Sequence, residues 1–324
     1  MELNGLHHVT AVTGKAQANV DFYTQVLGMR LVKKTVNQDD VSAYHLFYGD
    51  ELGNPGTELT FFEWPHIGPN QPGPGSIAQT ALRIPSRAAL EWWVERLDQY
   101  GVRHDGLAEF HGHALINLAD PEGQQLALVD DGGAPGGTPW SKSPVPAEYA
   151  IRGLFASTLV VRRLESTAAV LADVMGYQPV AEYRPANDSN ERIVVFAVGG
   201  GGAGKELYVV VQPDRPSGQL GIGGVHHIAF RTPNGEEQVQ WMERIHSSGL
   251  RTSGLVDRFY FQSLYFRIPS GILFEIATDG PGFATDEPAE HLGEQLALPP
   301  FLEPHRSQIE AGLKPVKLPQ AIVD

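Results

Sequence analysis

Two pairs of adjacent histidines open two apolar segments that lie far apart in the chain. The first pair is His7 and His8 in "GLHHVTAV", and the second is His226 and His227 in "GVHHIAFRT". Neutral imidazole nitrogens are good ligands for first-row transition metals. The sequence contains no cysteine, which excludes disulfides, thiolate ligands and cysteine nucleophiles. Any metal must therefore be held by histidine and carboxylate side chains.

Candidate carboxylates follow each histidine pair in a later apolar segment. Glu63 lies in "TFFEW" and Glu275 lies in "LFEIA". A carboxylate flanked by apolar residues is costly to bury unless it is paired or binds a metal. His8, His227 and Glu275 form a two-histidine, one-carboxylate set suited to Fe(II) and oxygen chemistry, with Mn(II) as the alternative metal. The structural alternative is a hydrogen-bonded pair of core histidines with Glu275 paired to an arginine.

Strand alternation separates the two members of each histidine pair. Successive side chains of a strand point to opposite faces. His226 shares its face with the apolar residues that should pack against a helix. His227 therefore lies on the opposite, open face, and the same alternation places His8 on the open face of the first segment. We expect His7 and His226 to pack beside the ligands, near the substrate.

Two further candidates lie in "LVDRFYFQSLYFRIPSG", just before the segment that carries Glu275. Tyr265 has the inward parity and precedes Glu275 by one hairpin turn. A phenol beside a metal can donate a hydrogen bond to an oxyanion, and Arg258 can stabilise developing negative charge. The alternative for this pair is an arginine and a tyrosine in contact at the surface.

Four segments that we call modules 1 to 4 repeat the order β-α-β-β-β. They begin at "LHHVTAV", "IAQTALRI", "LFASTLVV" and "VHHIAFRT". Helical spacing of Val20, Tyr23 and Leu27 contrasts with the alternating or β-branched flanking runs. Each helix ends at a glycine, in "LGM", "YGV", "MGY" and "SGL", as expected for a left-handed C-terminal cap. Each module exposes one apolar sheet face, so the modules should pair.

Metal-type residues occupy matching positions only in modules 1 and 4. Where these have His8 and His227, module 2 has Gln79 and module 3 has Ser157. The last strands repeat this contrast, with aliphatic residues in modules 2 and 3. The sequence therefore predicts an α+β fold of four βαβββ modules that pair into two cup-like domains. Module 1 pairs with module 4, and their shared cup holds the site.

The predicted organisation along the chain has four parts. Residues 1–130 hold modules 1 and 2, and residues 151–278 hold modules 3 and 4. The Gly- and Pro-rich stretch 131–150 predicts a linker, or alternatively a long surface loop inside one domain. Residues 279–324 are rich in Pro and acidic residues, and we expect this tail to pack over the body.

Composition excludes several partners. The 324 residues include 24 Lys and Arg against 38 Asp and Glu, a formal net charge of -14, which argues against nucleic acid. No apolar run approaches the ~20 residues needed to cross a bilayer, and no basic N-terminal segment precedes an apolar one. We expect a cytoplasmic protein that does not bind membranes. The sequence allows a homo-oligomer but contains no pattern that decides it.

The four modules, "LHHVT", "GVHHIAF", "DRFYFQSLYFRIPSGILFEIATDGPGF" and "LGEQLALPP" resemble the vicinal oxygen chelate superfamily of glyoxalases, bleomycin resistance proteins and extradiol dioxygenases. Within it, the chain is similar to hydroquinone-type ring-cleaving dioxygenases. The resemblance covers nearly the whole chain and is strongest from Asp257 to Phe283. It implies an Fe(II) site with neighbouring catalytic residues. The implied ligands are His8, His227 and Glu275, and the implied neighbours are Tyr265, Arg258, His7 and His226.

The resulting expectation is an Fe(II)-dependent dioxygenase that opens the ring of a hydroquinone or related phenol and inserts both atoms of O2. Its partners are then a small aromatic substrate and O2. A second hypothesis is a metal isomerase similar to lactoylglutathione lyases, with Glu63 as a fourth ligand. A third is a non-catalytic protein that binds an aromatic ligand, which should purify without a stoichiometric metal.

Overall fold

A computed structural model describes residues 1–184 and 191–319. The strands are β1 Leu6–Thr13, β2 Arg30–Asn37, β3 Asp40–Gly49, β4 Glu58–Glu63, β5 Ser76–Ile84, β6 His104–Phe110, β7 His113–Ala119, β8 Gln125–Asp130, β9 Leu154–Val161, β10 Gln178–Tyr183, β11 Arg192–Ala197, β12 Glu206–Val211, β13 Val225–Thr232, β14 Thr252–Asp257, β15 Gln262–Arg267 and β16 Leu273–Thr278. The helices are α1 Ala16–Asp21, α2 Arg87–Gln99, α3 Glu165–Ala169, α4 Gly235–Ser247 and α5 Arg306–Gly312. Wider π-helical turns, Phe22–Val26 and Val170–Val174, extend α1 and α3.

The predicted fold class is confirmed. Four consecutive βαβββ units follow one another, and in each the first strand pairs in parallel with the last. The four predicted helix caps are also present. Gly28, Gly101, Gly176 and Gly249 have φ angles of 70, 66, 79 and 83°, a conformation that favours glycine because a side chain would be strained there.

Two cups form because the modules pair through their first strands. β1 runs antiparallel to β13, which joins module 1 to module 4 as predicted, and β5 runs antiparallel to β9, which joins module 2 to module 3. Within the described residues, β13 and β5 share one ladder pair, Val225 with Ile77. Backbone hydrogen bonds from Leu6 to Gly204 and from Leu154 to Gly56 also join the two cups. Each cup therefore takes one module from each half of the chain. The sequence ranges 1–130 and 151–278 describe halves of the chain and not the two cups.

The longer helices cover the outer side of the sheet and leave its concave side open. Trp93 of α2 and Trp241 of α4 are almost completely buried. Capping side chains fix where both helices begin: Ser86 accepts a hydrogen bond from the N–H of Ala89, and Asn234 does the same for Glu237, as is typical of helix N-termini. Within residues 1–184 and 191–319, no helix has the length and apolar character needed to cross a membrane.

The tail that follows β16 lies against module 1. The Lys33 side chain is completely buried, donates to Asp286 over 2.7 Å, and lies 4.7 Å from the ring centroid of Tyr260. Tyr260 in turn donates to Asp286 over 2.8 Å. An unpaired buried ammonium would be costly, so this ion pair fixes the tail beside the wall that Tyr260 and Phe261 contribute to the cup. The expected packing of residues 279–324 is seen up to residue 319, and the rest lies outside the described residues.

Candidate metal centre

The first histidine pair lies in a β-bulge of β1. Leu6 pairs with Phe230 and Val9 pairs with Ile228, so β1 has one residue more than β13 across this span. A bulge of this kind leaves two residues opposite one and redirects their side chains. It therefore interrupts the simple alternation of faces at the first histidine pair.

A second bulge lies in β13, on the other side of the same strand pair. Thr10 pairs with His227, whereas Ala11 pairs with Val225, which leaves His226 as the extra residue. The two bulges face each other in one antiparallel ladder. Together they bring both histidine pairs to the base of the cup.

The prediction that alternation sends the members of each pair to opposite faces is therefore wrong. The Nδ1 atoms of His7 and His8 are 3.0 Å apart, and those of His226 and His227 are 2.7 Å apart, so within each pair the two imidazoles are hydrogen-bonded to each other. His226 does not enter the helix-facing core but contacts the rim ring of Trp64, with centroids 5.4 Å apart. The bulges are the physical reason, since they replace alternation locally.

Three ligand-type atoms converge where the pairs meet. Glu275 lies opposite Ala229 on the neighbouring β16, and its Oε2 is 3.2 Å from His8 Nε2 and 3.0 Å from His227 Nε2. The two Nε2 atoms are 3.4 Å apart. All three side chains are buried, with 2% of His8, 3% of His227 and none of Glu275 exposed.

A chain of hydrogen bonds fixes which nitrogen of His8 carries its proton. His7 Nε2 donates to the carbonyl oxygen of Thr278 over 3.1 Å, so this nitrogen must be protonated. Burial, followed by the nearby His8, holds the pKa of His7 well below its usual range, so the ring is neutral and its Nδ1 is an acceptor. His8 then donates from Nδ1, and Nε2 is the nitrogen that faces Glu275.

His226 can hold His227 in the same way. Burial, with His227 as the next cause, lowers the pKa of His226 to about 3, and burial also lowers the pKa of His227. Both rings are therefore neutral, and one Nδ1–H is shared over 2.7 Å. A His227 ring that offers Nε2 to a metal carries its proton on Nδ1, for which His226 is the acceptor.

The Glu275 carboxylate supplies the negative charge of the cluster. Burial opposes its ionisation, but His8 and His227 outweigh burial and hold the pKa of Glu275 well below its usual range. Glu275 Oε2 lies within hydrogen-bond distance of both Nε2 atoms, and among the described residues Oε1 has no hydrogen-bond partner. When both Nε2 atoms are unprotonated, two imidazole lone pairs and an ionised carboxylate are directed at one point, which favours a cation there. The donor set therefore fits a divalent first-row metal.

A second group of metal-type residues, His7, His8 and Glu58, adjoins the first. Burial, with the nearby charges of Asp50 and Glu275, raises the pKa of Glu58 well above its usual range. This shift favours the protonated form of Glu58, whose Oε2 lies 3.7 Å from His7 Nδ1. The Nδ1 atoms of His7 and His8 are already hydrogen-bonded to each other, which makes the first group the better candidate for a metal.

Tyr265 and Arg258 both line the cup. Tyr265 lies directly opposite Glu275 across β15 and β16, and its ring centroid is 5.7 Å from that of His227. Burial, then the charge of Glu275, raises the pKa of Tyr265, which keeps the phenol protonated. The Arg258 guanidinium lies 5.4 Å from the Tyr265 ring centroid and donates to both carboxylate oxygens of Asp39, over 3.2 and 2.7 Å.

His45 is a residue of the cup that the sequence did not identify. It lies on β3, its Nε2 is 3.0 Å from Thr60 Oγ1, and Thr60 is in turn bonded to Thr10 over 2.8 Å. Burial, followed by the charges of His8 and His227, holds the pKa of His45 well below its usual range. The available signal was a lone histidine in the apolar run "AYHLFYG", in the same module as His8.

Glu63 does not join the cluster. The β1–β4 register places Thr60 opposite Thr10 and Glu63 opposite Thr13. The position equivalent to Glu275 in module 1 is therefore Thr60, and the match of "TFFEW" with "LFEIA" was wrong by three residues. Glu63 instead accepts the N–H of Ala16 over 3.1 Å at the start of α1. A fourth carboxylate ligand from this position is excluded.

Comparison with known proteins agrees with this geometry. The model of the glyoxalase/bleomycin resistance protein/dioxygenase superfamily matches residues 5–128 and 153–276. The chain belongs to this superfamily. A Bacillus subtilis (strain 168) protein provisionally named ring-cleaving dioxygenase MhqA is 46% identical, over 98% of this chain and 100% of its own. A chlorohydroquinone/hydroquinone 1,2-dioxygenase from Sphingobium indicum is 34% identical, over 93% of each chain.

Solved structures extend the likeness to three dimensions. A Bacillus subtilis crystal structure described provisionally as a dioxygenase has a TM-score of 0.88 and 39% identity, covering 98% of this chain and 99% of that one. Glyoxalase I from Zea mays, at 14% identity and a TM-score of 0.62 over 85% of this chain and 92% of its own, shares the fold. The full-length relatives confirm the expectation that the chain is an enzyme with dioxygenase activity.

Replacement of the carboxylate tests the metal site. We expect Glu275→Gln to lose stoichiometric iron, because a neutral amide cannot balance the charge of a divalent cation at this buried position. Glu63→Gln is the matched control and should retain one iron per chain. Metal analysis after anaerobic Fe(II) reconstitution and desalting measures both. Full iron content in Glu275→Gln would contradict the assignment.

Replacement of His7 tests the hydrogen-bond chain that orients His8. His7→Phe removes the acceptor for His8 Nδ1, and loss of such a partner typically weakens metal binding by ~10–100-fold. Competition for Fe(II) against a coloured chelator measures this affinity without reference to activity. His246→Phe, at an exposed position of α4, is the control and should bind Fe(II) as the unmodified protein does. Equal affinities in the two variants would count against the positioning role.

Proposed function

We propose that the protein is an Fe(II)-dependent dioxygenase that opens the ring of a hydroquinone or related substituted phenol and inserts both atoms of O2. The observation that carries the proposal is the meeting of His8 Nε2, His227 Nε2 and Glu275 Oε2, with 3.4 Å as the longest of their separations. Three protein ligands of this kind on one face are typical of non-haem Fe(II) oxygenases. The hydroquinone relative supports the substrate class. Mn(II) prefers nearly the same ligands and is the alternative metal.

Tyr265 is the proposed proton donor. When bound, the metal would hold a substrate oxygen and O2 side by side and let electrons pass between them. The raised pKa of Tyr265 keeps a proton on its phenol, in contact with the ring of His227. A protonated group at this place can donate to an oxygen atom on which negative charge develops.

Arg258 provides positive charge at the mouth of the cup. Its bidentate ion pair with Asp39 favours the charged form, so that the pKa of Arg258 is raised although burial opposes this. Gln38 adds a bond to the Arg258 carbonyl over 2.9 Å. A guanidinium held in this way can stabilise an anionic substrate oxygen. Arg258 lines the cavity of this cup together with His8 and His227.

The remaining walls suit a flat aromatic guest. Phe47, Phe62 and Phe261 line the cup together with His45. Aromatic side chains provide a large apolar contact area with restricted geometry. His45 is neutral, because burial lowers its pKa, and a neutral imidazole can accept a proton from an entering hydroxyl group.

Oxygen consumption tests the proposed function. Protein reconstituted anaerobically with Fe(II) should consume one O2 for each hydroquinone, methylhydroquinone or chlorohydroquinone molecule that it converts, and ¹⁸O₂ should label the ring-opened product twice. Glu275→Gln, assayed in parallel, corrects for spontaneous oxidation of hydroquinones. An Mn(II)-loaded sample compares the two metals. No uptake with any hydroquinone or catechol despite a filled iron site would refute the proposal.

Tyr265→Phe separates proton donation from metal binding. Loss of a positioned proton donor typically lowers turnover by ~10²–10⁴-fold, so we expect kcat to fall by this order while iron content stays at one per chain. Tyr100→Phe is the control, because Tyr100 is 46% exposed, and should leave kcat unchanged. Unaltered turnover in Tyr265→Phe would assign the proton to another group.

A further inference from the structure

The cup of modules 2 and 3 contains a much larger cavity than the cup of modules 1 and 4. We call the latter the metal cup, because it contains His8, His227 and Glu275. The volume of the larger cavity is about 300 Å³, against about 30 Å³ in the metal cup. It occupies the equivalent place, because β5 and β9 pair with two register shifts as β1 and β13 do. Gln79 adjoins one of these shifts and lines the cavity, whereas its counterpart His8 lines the metal cup.

Small side chains create the space. Ala81 and Ala127 lie side by side on the neighbouring strands β5 and β8 and line the floor. Apolar walls rise around them, with Phe110 and Tyr208 edge to face at 5.4 Å between centroids and Leu115 beside them. The cavity can therefore enclose a single aromatic ring in mostly apolar surroundings.

Two amides provide the polar group of the cavity. Gln79 Nε2 donates to Asn117 Oδ1 over 3.0 Å and to the carbonyl oxygen of Leu126 over 3.3 Å. These bonds use both amide protons of Gln79. Gln79 Oε1 can still accept a hydrogen bond, and Asn117 Nδ2 can still donate one. A phenolic hydroxyl, which donates and accepts, satisfies both groups.

The electrostatics of the cavity favour a neutral guest. Among the described residues, the groups able to bind a metal lie in the other cup. Tyr208 donates to Glu206 over 3.2 Å, and burial, followed by this carboxylate, raises the pKa of Tyr208, so its phenol is uncharged. Glu109 lies on the rim. Carboxylates and an apolar wall both disfavour an anion.

We propose that the cup of modules 2 and 3 is a second, metal-free binding site for a small neutral phenol with one ring. Its hydroxyl lies between Gln79 and Asn117, and its ring lies over Ala81 and Ala127. This site goes beyond the proposed dioxygenase function and does not rest on it. A phenol has few heavy atoms, so its dissociation constant should be on the order of 1 mM.

Fluorine NMR with 4-fluorophenol tests the site in the intact protein. Ala127→Leu places a larger side chain on the floor of the second cup and should weaken saturable binding there by at least ~10-fold, since the leucine occupies the space proposed for the ring. Gln79→Ala removes the polar acceptor, enlarges the cavity and should weaken binding by several-fold. Val239→Leu, at an exposed position of α4, is the control and should bind as the unmodified protein does.

Two further measurements keep the test decisive. Iron content and oxygen uptake of Ala127→Leu should equal those of the unmodified protein, which shows that the fold and the metal cup are intact. If Ala127→Leu does not fold, Gln79→Ala decides the result. Crystals soaked in 4-fluorophenol should contain it between Gln79 and Asn117. Binding unchanged in the folded variants, or 4-fluorophenol found only in the metal cup, would overturn the proposal.

Discussion

The antiparallel pairing of β1 with β13 is the contact on which the rest of the site depends. These strands come from opposite ends of the sequence, and their two bulges bring His8 Nε2 and His227 Nε2 to 3.4 Å from each other. The pairing of whole modules, with helices α2 and α4 covering the outer side of the sheet, stabilises this arrangement. The strand pairing thus fixes the backbone at the site, and the site residues supply only the side chains. β16 then places Glu275 beside the histidines through its register with β13.

Glu275 is the buried charge around which the site is organised. Burial opposes its ionisation, but His8 and His227 outweigh burial, so the pKa of Glu275 stays well below its usual range. A cation that binds the folded chain more tightly than the unfolded one would stabilise the fold further, by an amount that grows with the logarithm of its concentration. His7 and His226 would support such binding by accepting the Nδ1 protons of His8 and His227.

Residue type and internal repetition were sufficient to predict four modules, the pairing of modules 1 and 4, and the meeting of His8, His227 and Glu275. The alternation rule failed at the histidine pairs because a β-bulge depends on how two strands align. The sequence of one strand alone does not show that alignment. Glu63 was matched with Glu275 by residue type. Only the register of β1 with β4 shows that Glu63 lies three residues beyond the position equivalent to Glu275. His45 was missed because no other module has a histidine at the corresponding place. Internal repetition identifies residues that recur in several modules. A functional residue that occurs in only one module is recognised from the folded structure.

The two cups have similar backbones, so their side chains decide what each cup can hold. Both have a bulged strand pair at the base, but histidines and a carboxylate fill one, while alanines and amides leave a cavity in the other. In the metal cup the side-chain charges also bear on the net charge of the site. A divalent cation with Glu275 and two neutral imidazoles would have a net charge of about +1 by simple counting. Burial raises the pKa of Glu58 and so opposes a second negative charge beside this group. Under the proposed function, the excess positive charge would favour a substrate that binds through a deprotonated oxygen.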